Sequence, residues 1–326
     1  MSRRLAVVMD PIAGISVAKD TTLAMLLAAR RRGWSLWYTE QPDLCLRDGA
    51  ALGLMAPLEV QDDPTHWFSL GAASMQPLGA LDFILMRKDP PFDTEYVHAT
   101  QVLELAETQG ATVANRPAAL RDVSEKLALG LFPEFAPPTL VSARHERLLA
   151  FLAEFGDIVV KPLDGMGGRS VFRIQAGDGN RNVILETLTG GERRMVMAQR
   201  YLPEIADGDR RVLVVDGEPI PFTLARIPQR GDLRGNLAAG GRGEVLPITP
   251  AERRIAEALG PELRRRGLWF VGLDVIGGWL TEVNVTSPTC AREIEAATGL
   301  DIAGRFLSAI EAHRAMQRVH PRAQAQ

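Results

Sequence analysis

The chain has 326 residues, 46% of them apolar and 24% charged, with a formal net charge of −3. That length and composition suit a soluble protein of roughly two or three layered domains, and the near-balanced charge offers no electrostatic footprint for nucleic acid or an acidic membrane surface. Two cysteines, Cys45 and Cys290, build no disulfide framework and no C-x-x-C, which fits a reducing cytosol.

At the start, "MSRRLAVVMD" is basic like a secretory leader. Its apolar run Leu5–Met9 is cut by Asp10, too soon for a signal core. No uninterrupted apolar stretch is long enough for a bilayer, and the expected location is the cytoplasm. "RLAVVMD" reads as a short buried strand. "KDTTLAMLLAARRRGW" follows as a helix, with Asp20 or Thr21 as N-cap and Gly33 as the stop. "SLWYTE" and "DFILMRKDPPFD" read as further strands, and "EYVHATQVLELAETQGATVANRP" as a helix followed by a strand. This β-α-β order predicts an open parallel sheet with crossover helices over residues 1–122. Ligands of such sheets bind beyond the carboxyl ends of the strands, where Asp10, Arg87, Lys88 and Asp89 stand.

Past "RPAAL" the pattern changes. "DVSEKLALGLF" reads as a short helix, "PEFAPPTLV" as a proline-rich connection and "RHERLLAFLAEFG" as a helix. "DIVVKPLDGMGGRSVFRI", "RRMVMAQRYLP" and "RRVLVVDGEPIPFTLARIP" read as antiparallel strands, with Asp-Gly in "VDGEP" as a hairpin turn.

Four stretches carry chemistry. In "VVKPLDGMGGRSVF" a strand delivers Lys161 to a loop with Gly165, Gly167 and Gly168. Glycines let backbone N–H groups approach phosphate oxygens, and the lysine adds a point charge; the alternative is a plain hairpin turn. Neither a P-loop nor a Rossmann fingerprint is present. Arg211 and Arg226 fall on neighbouring strands, either as a solvent face or as a pair that neutralises a phosphoryl group. "PQRGDLRGNLAAGGRGEV" is a long Gly- and Arg-rich loop, either merely floppy or a lid over residues 227–243. "VGLDVIGGWLTEVNVTSPT" places Asp274, Glu282 and Asn284 around a Gly277–Gly278 turn. As a hairpin it either wets one polar face or gathers hard oxygens for Mg2+. No zinc spacing, no G-x-S-x-G and no histidine partner for a cysteine nucleophile occurs.

This order of stretches resembles the ATP-grasp superfamily of carboxylate–amine ligases, and more closely the bacterial glutathione synthetases. "VVMDPIAGI", "ILMRKDPPFDTEY", "NRPAALRDVSEKL", "KPLDGMGG", "RGNLAAGGRGE", "VGLDVIG" and "TEVNVTSPTCAREIE" carry the resemblance over nearly the whole chain. It implies an N-terminal α/β substrate domain (1–122), then a two-lobed ATP-grasp module with antiparallel sheets, its lid lobe at 123–203 and its catalytic lobe at 204–326. It implies that γ-glutamylcysteine is phosphorylated by ATP and the acyl phosphate is captured by glycine. By position, Lys126, Lys161 and the glycine loop meet the nucleotide phosphates; Gln199, Tyr201 and Leu202 line the adenine pocket, with Asp209 near the ribose. Asp274, Glu282 and Asn284 hold two Mg2+ ions, or Mn2+. Arg211, Arg226 and Arg234 stabilise the transferring group, and Asp10, Lys19, Arg87 and Ser287 meet the peptide. Gln199 stands where many ATP-grasp enzymes carry glutamate. The resemblance also implies a homotetramer with small-molecule partners. A ligase of the D-alanine–D-alanine or glutamate-adding type, or a non-catalytic nucleotide sensor, are the competing readings.

Overall fold

A computed structural model describes residues 2–229 and 241–319. The first strand β1 (Arg4–Val8) is apolar on both faces, as a strand covered by helices must be. Asp20 then caps α1 (Thr21–Arg31), its carboxylate accepting from Leu23 N at 2.6 Å. β2 (Ser35–Thr39) runs parallel to β1. β3 (Leu44–Arg47), β4 (Ala50–Val60), β5 (Phe68–Leu70) and β6 (Ser74–Pro77) follow, then β7 (Phe83–Met86), α2 (Thr94–Thr108) and β8 (Thr112–Ala114).

The strand order is β3-β4-β2-β1-β7-β8, with β5 and β6 paired to β4. The predicted parallel sheet is its β2-β1-β7-β8 half. The other half is antiparallel, so the sheet is mixed. Its local signal is Asp48-Gly49, both with positive φ, which closes the β3–β4 hairpin.

The expected helix in "DVSEKLALGLF" is instead the end of a short α3 (Pro117–Asp122), a break over residues 123–126 and a 3-10 turn over Leu127–Leu131. One four-stranded antiparallel sheet follows, built from β9 (Thr139–Ser142), β10 (Asp157–Pro162), β11 (Phe172–Gln175) and β12 (Val196–Arg200). It is backed by α4 (His145–Phe155) and α5 (Arg181–Thr189). A five-stranded antiparallel sheet comes next: β13 (Asp209–Val215), β14 (Glu218–Ile227), β15 (Arg242–Pro247), β16 (Phe270–Ile276) and β17 (Trp279–Asn284). α6 (Pro250–Arg266), α7 (Ala291–Thr298) and α8 (Ile302–Val319) complete the chain. With α5, these three helices add to the elements expected from sequence.

The apolar cores show which parts pack together. The four-stranded lobe has its own core, Leu148, Leu152, Ile158, Val160 and Leu185 among it. The N-terminal and five-stranded sheets share theirs: Leu5 and Val7 pack in one cluster with Leu213, Phe270 and Phe306. Asn115 pins this junction, donating to Phe270 O and Val285 O at 2.8 Å each and accepting from Phe270 N at 3.0 Å. The deep wall of the cleft between the lobes is therefore anchored to the N-terminal sheet by both packing and hydrogen bonds.

Glu107 on α2 is half-buried, and that burial outweighs the Arg116 guanidinium 4.0 Å away, pushing its carboxyl up to about 7. The fold thus keeps a proton that the unfolded chain releases from its ordinary value of 4.5 upward. Stability should fall as pH rises from about 4.5 to about 7, by roughly 1–3 kcal/mol, and then level. Glu107→Gln should flatten that slope in urea titrations across the window; an unchanged slope would assign it to other groups.

Candidate active site

The β16–β17 hairpin is the base of the site. In its register Asp274 lies opposite Glu282 and Gly272 opposite Asn284, so Asp274, Glu282 and Asn284 share one face. A bulge beside Asp274 resets the pairing, and the displaced Thr281 returns a hydrogen bond from Oγ1 to Asp274 O at 3.1 Å. Asn284 donates through Nδ2 to Gly272 O at 3.2 Å, which leaves its Oδ1 as an acceptor. Two carboxylates and an amide oxygen on one face suit a hard cation that takes its remaining ligands from phosphates and water. No cluster of three or more His, Cys, Asp or Glu exists among the described residues, so an all-protein metal cage is absent from that set.

β13 pairs with β16 so that Arg211 lies opposite Asp274, and β14 pairs with β13 so that Arg226 lies opposite Asp209. Arg211 grips Asp274 with Nε at 2.6 Å and Nη2 at 3.2 Å, and Arg226 reaches the same carboxylate at 2.9 Å. Arg226 also binds Asp209. Arg211, Arg226 and Asp274 are buried and Asp209 is half-buried. Burial alone would push Asp274 up, but the two guanidiniums outweigh it and hold this carboxyl well below the usual range. Asp209 goes the other way. Burial and the neighbouring Asp274 charge lift it to about 6 against the pull of Arg226, and its Oδ1 has no hydrogen-bond partner.

Gly272 makes this packing possible: a Cβ there would lie 2.8 Å from Arg211 Cδ. Arg211 and Arg226 thus face the cavity as an ion-paired cluster, and the solvent-face alternative does not hold.

The four-stranded lobe supplies the facing wall. Lys161 near the end of β10 is buried and donates to Thr281 O at 3.1 Å; burial pushes its ammonium down, with Glu282 pulling the other way. Lys126 binds Glu282 at 2.8 Å and Gly165 O at 2.7 Å, tying the glycine loop to the hairpin. Gly167 and Gly168 both have left-handed φ, of 65° and 76°, which a side chain would strain. Gln199 on β12 donates to Thr139 Oγ1 at 3.1 Å, leaving its amide oxygen for a ligand donor. Tyr201 is stacked beneath Arg173, whose guanidinium carbon is 3.7 Å from the ring centre.

One cavity of about 650 Å³ is lined by residues from all of these elements. Lys126, Lys161, Gly165, Gly167, Gly168, Gln199, Tyr201, Leu202, Asp209, Arg211, Arg226, Asp274, Glu282 and Asn284 line it, as do Lys19 and Ser287 from the peptide set. Asp10 and Arg87 do not. Asp10 is taken by Lys88 at 2.8 Å and by Asp89 N at 2.9 Å, behind the wall that Asp89 forms. Arg87 is buried, donating to Thr22 Oγ1 at 3.0 Å and Pro288 O at 2.8 Å, so it braces the backbone around Ser287. Arg234 lies outside the described residues, as does most of the expected lid.

Among the lining residues that the sequence reading gave no part in the site are Glu125, Cys290 and Glu293. Glu125 Oε1 accepts from Val285 N, Thr286 N and Thr286 Oγ1 at 2.8–3.0 Å, anchoring the turn after β17. Its adjacency to Lys126 was the available signal. Cys290 and Glu293 reach the cavity only through the chain reversal before α7.

Comparison with known proteins decides the family. The description "Prokaryotic glutathione synthetase, N-terminal domain" matches residues 4–121, and "Prokaryotic glutathione synthetase, ATP-grasp domain" matches residues 125–299. The chain belongs to the prokaryotic glutathione synthetase family. It is 58% identical to the glutathione synthetase of Pseudomonas putida over 95% of this chain and 98% of that protein. It is 53% identical to that of Vibrio cholerae over 94% and 97%. In fold it is similar to the D-cycloserine synthetase DcsG, with a TM-score of 0.66 at 16% identity over 95% of this chain and 99% of that one. The ATP-grasp ligase PsnB complexed with minimal precursor, Mg and ADP gives 0.61 at 18% identity over 95% and 98%. The chain is an ATP-dependent ligase of the ATP-grasp kind, as its family is.

Gly272→Ala should leave the fold intact and push Arg211 off Asp274, lowering kcat by roughly tenfold or more with little change in nucleotide affinity. Equal losses in kcat and in nucleotide binding would contradict the separation of the two walls.

Proposed function

We propose that the chain joins γ-glutamylcysteine to glycine at the expense of ATP, through an acyl phosphate. The observation that carries this reading is the buried Arg211–Asp274–Arg226 cluster facing Lys126, Lys161 and the glycine loop across one cavity. The carboxylate oxygen of the peptide's cysteinyl residue attacks the γ-phosphorus, and the bond from that phosphorus to ADP breaks. The amine nitrogen of glycine then attacks the acyl carbon. The carbon–oxygen bond to phosphate breaks, the amine gives up a proton, and glutathione and phosphate leave. Neither step needs an enzyme nucleophile, only positioning and charge neutralisation, and the site offers cations rather than an activated thiol: burial pushes Cys290 up, away from thiolate.

In this reading Lys126, Lys161 and the N–H groups around Gly165, Gly167 and Gly168 hold the phosphates. Gln199, Tyr201 and Leu202 enclose the adenine. Asp209, engaged by Arg226, positions that guanidinium as much as it meets the ribose. Arg211 and Arg226 neutralise the oxygens of the group in transit. Asp274, Glu282 and Asn284 would hold Mg2+, with Mn2+ as a substitute; the bound metal neutralises phosphate charge. Lys19 and Ser287 meet the peptide, with Asp10 and Arg87 supporting the wall behind them. Arg234 and the 227–243 segment are assigned to shielding the acyl phosphate.

Residues 1–122 serve as the substrate domain, 123–203 as the nucleotide-covering lobe and 204–326 as the catalytic lobe. A cytoplasmic location, supported by the two free cysteines, and a homotetramer belong to the same reading.

ADP release should require γ-glutamylcysteine, Mg2+ and ATP, and glutathione should form only when glycine is the amine. D-alanine or glutamate serving as well as glycine would favour another ligase of the same fold; no turnover with any acid would favour a nucleotide sensor.

A further inference from the structure

One corner of the cavity holds two opposite charges that the phosphoryl-transfer centre does not use. Glu293, in the first turn of α7, lines the cavity, and its Oε2 is buried with no hydrogen-bond partner. An unpaired carboxylate oxygen removed from water is costly, so its retention points to a partner that arrives with a ligand. Lys19, just before α1, lines the same cavity, and its ammonium makes no hydrogen bond or ion pair among the described residues. Of the cations that act on Glu293, the other two are engaged: Arg211 by Asp274 and Arg292 by Asp62. Lys19 and Glu293 are therefore a matched pair of unused charges.

The backbone holds the two together. Ala291 N donates to Thr21 Oγ1 at 3.2 Å, which joins the start of α7 to the start of α1. Cys290 takes a left-handed φ of 85°, turning the chain so that the first turn of α7 faces the cavity. Burial pushes the Glu293 carboxyl up, with Lys19 acting against it, as expected of a carboxylate awaiting a cation. Ser16, Ser287 and Thr289 line the cavity as well and add hydroxyls without charge.

We propose that Glu293 and Lys19 read the free α-amino-acid end of the acid substrate, Glu293 taking the α-ammonium and Lys19 the α-carboxylate. The inference rests on the reaction proposed above and adds the residues that make the site demand a γ-glutamyl group rather than any acyl-cysteine. Because Arg211 lies near both Asp274 and Glu293, an acid anchored in this corner directs its far carboxylate toward the arginine pair.

The test compares three acids with the full-length protein, ATP, Mg2+ and glycine: γ-glutamylcysteine, glutarylcysteine, which lacks the α-amino group, and 4-aminobutanoylcysteine, which lacks the α-carboxylate. Glu293→Gln should raise KM for γ-glutamylcysteine about tenfold or more while KM for ATP and glycine stays within about twofold, and it should lose nothing relative to wild type on glutarylcysteine. Lys19→Met should show the complementary pattern, with its loss absent on 4-aminobutanoylcysteine. Equal loss on all three acids would overturn the proposal, because a merely structural role or a folding defect acts on every substrate alike. So would a loss confined to ATP or glycine. A wild-type protein that turns over none of the three acids would overturn the proposed reaction itself, an outcome that a failed Glu293 assignment with active wild type does not produce.

Discussion

Everything in the cleft is arranged around one carboxylate shared by two arginines. Asp274 sits between Arg211 and Arg226 with three contacts of 2.6–3.2 Å, all three side chains buried. Removing Asp274 would leave the buried Arg211 guanidinium uncompensated, a change that typically costs ~3–5 kcal/mol. The arrangement also leaves a surplus. Eight lysine and arginine side chains line the cavity against seven aspartates and glutamates, and burial lifts one of those carboxyls, Asp209, to about 6. Such a pocket favours an arriving polyanion and its counter-cation over water.

Three antiparallel pairings produce that cluster. The β13–β16 register brings Arg211 to Asp274, β13–β14 brings Arg226 to Asp209, and β16–β17 brings Glu282 and Asn284 beside Asp274. A one-residue slip in any pairing would send a charge to the opposite face. The core shared between the five-stranded and N-terminal sheets braces that wall, whereas the lobe bearing Lys161 and the glycine loop packs mainly on its own core and reaches the shared one through Met197. The Lys126–Glu282 and Lys161–Thr281 contacts are what join the two walls at the reaction centre.

Much of this was legible in the chain itself. The hairpin at Gly277–Gly278, the Asp20 cap, the Lys161 glycine loop and the arginine pair all have local signatures, because turns, caps and alternating strands are local physics. The antiparallel extension over β3–β6 had its Asp48-Gly49 turn, and α6 had the Thr249-x-x-Glu252 capping box, realised with both bonds present. Those signals were available and went unread. Other features have no local signature. Arg87 follows a strand like a ligand-binding residue, yet its partner is a carbonyl about two hundred positions away, at Pro288. Asp10 is satisfied by Lys88 and Asp89, a pairing that depends on how β1 and β7 sit side by side. Glu293 enters the cavity because Thr21 and Ala291 meet, and no spacing within either segment encodes that.

The central claim is that this charge cluster exists to move a phosphoryl group onto a carboxylate oxygen. Oxygen-18 in the cysteinyl carboxylate of γ-glutamylcysteine tests it most directly, followed by mass analysis of the phosphate released with glutathione. The account predicts one labelled oxygen in each phosphate formed. Phosphate free of label, with one heavy oxygen kept in the new amide of glutathione and the other lost to water, would contradict it.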